Sequence, residues 1–274
     1  MAASCPISVS WPHHQPHVAS YNPQFLRHSS TMMEQIPQDL LSAPTQPILG
    51  TNYRYLRALA QHTNTGHHKH TWGVTIYRTV YSSASDALFP LVVQRIQGYM
   101  RLTISRLVEI DETDHLATPE EKRQSQRVTE ELLRRNMNDV FENKHALENA
   151  SVDDVYGLFN AWVEANGGKG SKNSRYCIAL IIDQDAINSI MKLPEADQAD
   201  TVFWYDRLAI NCKAVTLWRI DTVQTSPWFY VVLKNLTELW FDIMDDGLRS
   251  FITPVEGDQP AWEMLTARHL YRCI

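Results

Sequence analysis

The stretch Trp72–Tyr81, WGVTIYRTVY, constrains the fold more than any other part of this chain. β-branched and aromatic residues dominate it, which favours a strand. In an extended chain Val74, Ile76, Arg78 and Val80 point one way, and Gly73, Thr75, Tyr77, Thr79 and Tyr81 point the other. Arg78 is the odd member of the apolar row. It is expected either at a sheet end or against a carboxylate. A second run, Arg175–Ile182 (RYCIALII), is almost continuously apolar, as a central strand is, and Asp183 ends it. Lys213–Asp221 and Trp228–Leu233 read as two further strands. The TVQTSP between them is hairpin-sized, so the two are predicted to pair.

Helices are predicted between these strands. Asn52–Gln61 is a short one. Ser85–Ile104 carries Leu88, Val92, Ile96 and Tyr99 near helical spacing, with Pro90 expected to start or kink it. Thr118-Pro119-Glu120-Glu121 is a helix start with a cap, a proline at the first position and a capping box. From it a helix is predicted to about Phe141. Ser151 and Asp154 form a similar box for Ser151–Ala165, with Gly167 or Gly168 closing that helix. Asp185–Lys192 is a short helix stopped by Pro194. Asn235–Asp246 follows, its Leu236, Leu239, Trp240, Ile243 and Met244 on one face. A last helix is predicted at Ala261–Tyr271. The order β-α-α-α-β-α-β-β-α predicts an α+β fold. We expect a mixed sheet of about four strands with helices packed mainly on one face, ferredoxin-like or a related two-layer sandwich.

Residues 1–50 differ from the rest. They hold seven of the 13 prolines and only Arg27, Glu34 and Asp39 as charged residues. Such a segment buries too little to offset its ordering entropy, so a flexible Pro-rich arm is expected, with a short helix at Met32–Leu41. Residues 51–274 are expected to form a single α+β domain. With 44% apolar residues, 8 tryptophans and 11 tyrosines, the chain has enough buriable surface for a core.

The formal charge of −6 lacks the global basic footprint of a nucleic-acid binder. No apolar run approaches the roughly 18 residues of a membrane span, and no secretory signal opens the sequence. The four cysteines, Cys5, Cys177, Cys212 and Cys273, lack metal spacing and are expected as reduced thiols. A cytoplasmic protein with no nucleic-acid or membrane partner is therefore expected.

The segments TWGVTIYRTVY–SDALFPLVVQRI, SRYCIALIIDQDAI and SPWFYVVLKNLTELW together resemble a family of uncharacterised ascomycete fungal proteins with a WGxxIYRTxY-like strand motif. The resemblance covers roughly residues 70–245, with a gap in the helical middle. It implies a fungal, mostly intracellular protein; some members of the group accompany specialised-metabolite pathways. No established activity attaches to the group, so no functional residue is carried over.

Candidate sites follow from residue chemistry. His67, His68 and His70 crowd into four residues, but the segment reads as a loop and contains no HExxH pattern, so no metal site is expected. His70, next to the strand, is the histidine expected to serve as an acid or base. Arg78 and Asp183 sit at strand ends, where open sheets often bind ligands; Asp183 and Asp185 fit helix capping equally well. Asp206 and Asp221 flank the third strand. Tyr77, Tyr81 and Trp228 are the expected ligand-binding aromatics. Glu238, Asp242, Asp245 and Asp246 read as a solvated helix face. NGGKGSK (Asn166–Lys172) follows a helix and precedes a strand, the reverse of a phosphate loop, and reads as a connector. The function expected is binding of an apolar small molecule, with Arg78, Asp183 and His70 assisting an acid–base cyclisation or isomerisation without a redox cofactor. The alternative is a non-catalytic interaction or scaffold protein.

Overall fold

The computed structural model describes residues 34–41, 50–63, 68–113, 118–196, 211–216, 228–233 and 236–246. The elements in chain order are α1 (Gln38–Leu41), α2 (Gly50–His62), β1 (Thr75–Arg78), α3 (Ser83–Thr113), α4 (Pro119–Arg134), β2 (Asp139–Phe141), α5 (Lys144–Leu147), α6 (Val152–Ala165), β3 (Ile178–Ile182), α7 (Gln184–Ile190), β4 (Asn211–Thr216), β5 (Trp228–Val232) and α8 (Leu236–Asp246). A 3₁₀ turn, Ser174–Tyr176, leads into β3.

The fold is α+β around a mixed sheet of order β2-β1-β3-β4-β5. β1 runs parallel to both β2 and β3, with Arg78 opposite Ile182. β4 is antiparallel to β3, and β5 to β4, so the expected hairpin pairing forms. The sheet has five strands where about four were expected. The extra one is β2. The helix expected to reach Phe141 ends at Arg134, because Trp72 takes over its last carbonyls. The Trp72 indole donates to Leu132 O at 2.6 Å and the Trp72 amide to Arg135 O at 3.0 Å. Met137 N then bonds Trp72 O at 2.8 Å, and the chain leaves as a strand. Tertiary hydrogen bonds thus override a locally helical pattern.

The parallel trio also departs from a ferredoxin-like βαββαβ order. The chain passes from β1 to β2 through α3 and α4, then back across β1 to β3 through α5 and α6. Crossovers of one hand that travel in opposite directions place their helices on opposite faces. Val74, Ile76, Ile178, Leu180 and Ile182 accordingly pack with α2, α3, α4, α7 and α8. Tyr77, Ala179 and Ile181 pack on the other face with Leu147 and the α6 residues Val155, Phe159, Trp162 and Val163. Most helices lie on one face, as expected, but α6 covers the second, so the layers number three and not two. Both strand faces are dry, which explains why every residue of β1 and of β3 is buried.

The capping boxes at Thr118–Glu121 and Ser151–Asp154 both form. α3 begins at Ser83, and Pro90 lies inside it rather than at its start. Most of the expected arm lies outside the described residues. Residues 34–41 do not behave as an arm. Ile36 and Leu40 are buried in the core, and Glu34 O accepts from Arg135 Nη2 at 2.9 Å. The predicted helix at 261–271, Asp206, Asp221, His67 and the TVQTSP turn lie outside the described residues.

Candidate functional site

Parallel strands share their ends, so β2, β1 and β3 gather residues at a carboxyl end and an amino end. The carboxyl end holds Arg78, Tyr81, Glu142 and Asp183. Arg78 is buried and donates Nε to Val80 O at 2.8 Å, Nη2 to Ser85 Oγ at 3.0 Å, and Nη2 to Asp86. Glu142 Oε1 lies 3.8 Å from Nη1. The guanidinium sits 4.5 Å from the Tyr81 ring and 4.9 Å from the Phe89 ring. Its carboxylate partners are Asp86, in the first turn of α3, and Glu142, directly after β2, and not Asp183. Asp183 caps α7, accepting from Ala186 N at 2.9 Å. Arg78 therefore ties β1 to α3, and Asp183 serves as a helix cap, the other role its sequence position suits. The Tyr81 hydroxyl, buried and without a hydrogen-bond partner, is pushed up to about 12 by burial, which the Arg78 charge partly opposes.

His70 lies at the opposite end of the same strand. Eight residues of largely extended chain, roughly 25 Å at about 3.3 Å per residue, separate it from Arg78. It takes a left-handed conformation, φ 55°. Its amide donates to Thr63 O at 2.9 Å and its carbonyl accepts from Arg135 Nη1 at 3.1 Å. Burial, followed by the Arg135 and Lys69 charges, holds the imidazole below its ordinary value and so neutral. His70 is a corner residue. The acid–base trio expected from the sequence is split between two ends of the sheet.

The amino end carries a constellation that the strand patterns did not reveal. Arg175, in the 3₁₀ turn before β3, is 0% exposed. It donates Nη1 to Asp139 at the start of β2, and Nη2 to Met137 O at 2.6 Å. His68 Nε2 stands 3.8 Å from the same Asp139 Oδ2. The His68 ring lies 5.8 Å from that of Trp162 and 6.0 Å from that of Tyr176, and those two rings are 5.4 Å apart. The histidine that faces a carboxylate is therefore His68, two residues before the one expected.

Behind these rings runs an aromatic layer under α6. Tyr77 stacks on Phe141 at 4.6 Å and meets Phe159 edge-on, and Phe141 meets Trp162 edge-on. Tyr77, expected to touch ligand, thus belongs to the layer that ends at His68. Trp228 is in β5, and its side chain lies outside the described residues. Gly168 makes room for the cluster, since a Cβ there would sit 2.4 Å from the Tyr176 ring. The NGGKGSK connector, with Gly167 at φ 67°, closes α6 and lets Tyr176 pack. The sequence signal for this end was weak: a histidine and a buried-strand arginine flanked by aromatics, with Asp139 concealed in an apparent helix.

Among the described residues no group of three or more His, Cys, Asp or Glu side chains gathers as a metal site does. Among them too, no helix is long and apolar enough to cross a membrane. The chain matches no family model, no curated protein and no solved structure.

Proposed function

We propose that the chain binds a flat apolar small molecule against the aromatic layer under α6 and moves a proton on it through His68. One observation carries the reading: a part-exposed imidazole stands between a buried carboxylate fixed by a buried arginine and the rings of Trp162 and Tyr176. A general base needs an orienting partner, and Asp139 stands beside His68 in that place. Hydrogen-bond geometry at such sites often tightens only when substrate arrives, so a 3.8 Å approach suits the role. The chemistry balances without a co-reactant. His68 takes a proton as a C–H or O–H bond breaks and returns it to another atom of the same molecule, which is an isomerisation or cyclisation. A fungal specialised-metabolism setting, in which some proteins of the resembling group are found, is part of this proposal, as is a cytoplasmic location.

The scaffold alternative needs an exposed apolar patch. Among the described residues the exposed large apolar side chain is Leu91 alone, which does not make one.

A thermal-shift screen of aromatic and polycyclic small molecules with the full chain tests the proposal. Binding to the native state raises the midpoint by mass action. Hits are expected to lose their shift in Tyr176→Leu. His68→Gln should keep the shift while abolishing deuterium uptake by the ligand from D2O, followed by NMR. Hits that ignore Tyr176→Leu, or a screen without hits, would overturn the reading.

A further inference from the structure

The end of the molecule around His68 holds several buried hydrogen-bonding groups without partners, most of them donors; Asn136, at the same strand ends, leaves both its Oδ1 and its Nδ2 unpaired. Arg175 Nε, Trp162 Nε1 and Tyr176 Oη are all buried, in residues no more than 3% exposed; none donates to an acceptor, and the Tyr176 oxygen is itself approached by the His68 backbone amide. Asn173 and Asn138 repeat the pattern. Their oxygens accept from Arg175 N at 3.0 Å and from Val74 N at 3.0 Å, while both Nδ2 groups lack partners. Apart from Asn136 Oδ1, each of these atoms carries a hydrogen to donate. Buried polar groups are nearly always paired, and each exception asks for an explanation. Donors left over around one part-exposed histidine ask for an acceptor.

The charges narrow the choice. Arg175 is already balanced by Asp139, so the surroundings do not call for a permanently anionic ligand. Burial holds the Tyr176 phenol at about 12, with Arg175 opposing, so it stays protonated and donates through the neutral range. Beside them the rings of Trp162 and Tyr176 meet at 5.4 Å, tilted by 41°.

Resting on the reading above, the structure assigns this site a ligand class: a flat conjugated molecule that presents a carbonyl oxygen, bound by the donors of Tyr176 and its neighbours next to His68. Such an oxygen gains negative charge as His68 removes a proton from the adjacent carbon. The C–H pair becomes the enolate, the oxygen holds the charge, and the proton returns from His68 to a different carbon of the same molecule. Fixed donors aimed at developing charge are among the strongest catalytic devices.

The test compares 2-acetonaphthone with 2-isopropenylnaphthalene, which keeps the shape and replaces the carbonyl oxygen by a CH2. Both are measured by equilibrium dialysis against the full chain and against Tyr176→Phe. The ketone is expected to bind at least about tenfold more tightly, because a site built to donate discriminates against an analogue that cannot accept. Tyr176→Phe should erase most of that preference and leave the hydrocarbon's affinity as it was. Equal affinity for the two probes would overturn the carbonyl assignment and leave the aromatic site standing. A preference that survives Tyr176→Phe intact would overturn it as well. If neither probe binds, both the assignment and the underlying site reading fail.

Discussion

Arg175 and Asp139 form a buried ion pair across the amino ends of β3 and β2, with the arginine 0% and the aspartate 9% exposed at their side chains. Taking one partner from such a pair strands the other charge in a dry interior. That typically costs about 3–5 kcal/mol, far more than the pair itself contributes. Asp139→Asn is therefore expected to lower the unfolding free energy by about 3–5 kcal/mol in urea titrations. Arg175→Met combined with Asp139→Asn should recover much of the loss. A single-mutant cost below about 1 kcal/mol would show that the pair is solvated and not buried.

Gly73 fixes the crossing of β1 with the approach to β2. Its φ is 145°, and an added Cβ would lie 2.0 Å from Met137 O. Backbone cannot retreat as a flexible side chain can, and the conformation itself disfavours any residue with a Cβ. Gly73→Ala is expected to destabilise by at least about 2 kcal/mol, from clash and backbone strain together. Circular-dichroism melts of the two proteins check this; an unchanged midpoint would contradict the close approach of Gly73 to the Met137 carbonyl.

The α4 cap offers a smaller and cleaner measurement. Thr118 Oγ1 accepts from Glu121 N at 3.2 Å, and Thr118 N donates to Glu121 Oε2 at 2.7 Å. Thr118→Ala should cost about 1 kcal/mol, within a range of about 0.5–2, with the fold unaltered. A neutral substitution would mean that solvent satisfies the first turn of this helix equally well.

These elements differ in how readily the sequence disclosed them. The caps at Thr118 and Ser151 were legible because a cap is local: the residues that form it lie within four positions of each other. β1 and β3 were legible because burial on both faces leaves long apolar runs. β2 was hidden, since Asp139, Val140 and Phe141 become a strand only when Trp72 takes the α4 carbonyls from 60 residues away. With β2 hidden, Asp139 was hidden as a site residue too. Arg78 was correctly singled out as a charge needing a partner, yet its partners lay eight residues ahead in α3 and directly after β2, and not at Asp183. His68 could not be preferred over His70 from spacing alone. The difference is that one ring faces Asp139 while the other turns a corner at φ 55°.

That corner has a pH signature. Burial, then the charges of Arg135 and Lys69, lowers the His70 imidazole from its ordinary 6.5. The unfolded chain then takes a proton near 6.5 while the folded chain takes it only at lower pH. Between those two values the unfolded state binds more protons, so stability falls as pH falls. The contribution is complete above about 6.5 and is lost as pH drops through the folded value. His70→Asn removes the titration and keeps a residue that tolerates the left-handed conformation. Denaturant midpoints measured from pH 7 down to pH 5 should decline less steeply in the variant than in the parent. Parallel profiles would assign the pH dependence to another group.

Tyr81 separates a structural hydroxyl from an idle one. It is half-buried beside Arg78, and its Oη has no hydrogen-bond partner in the folded chain. A buried hydroxyl without a partner carries a desolvation cost of about 1–3 kcal/mol, reduced here by partial exposure. Tyr81→Phe removes that cost and retains the ring over the guanidinium. The variant should be as stable as the parent or more stable by up to about 1 kcal/mol in urea unfolding. A loss of more than about 1 kcal/mol would mean that the hydroxyl is hydrogen-bonded, and that the carboxyl end of β1 is organised around Tyr81 rather than around Arg78 and Asp86.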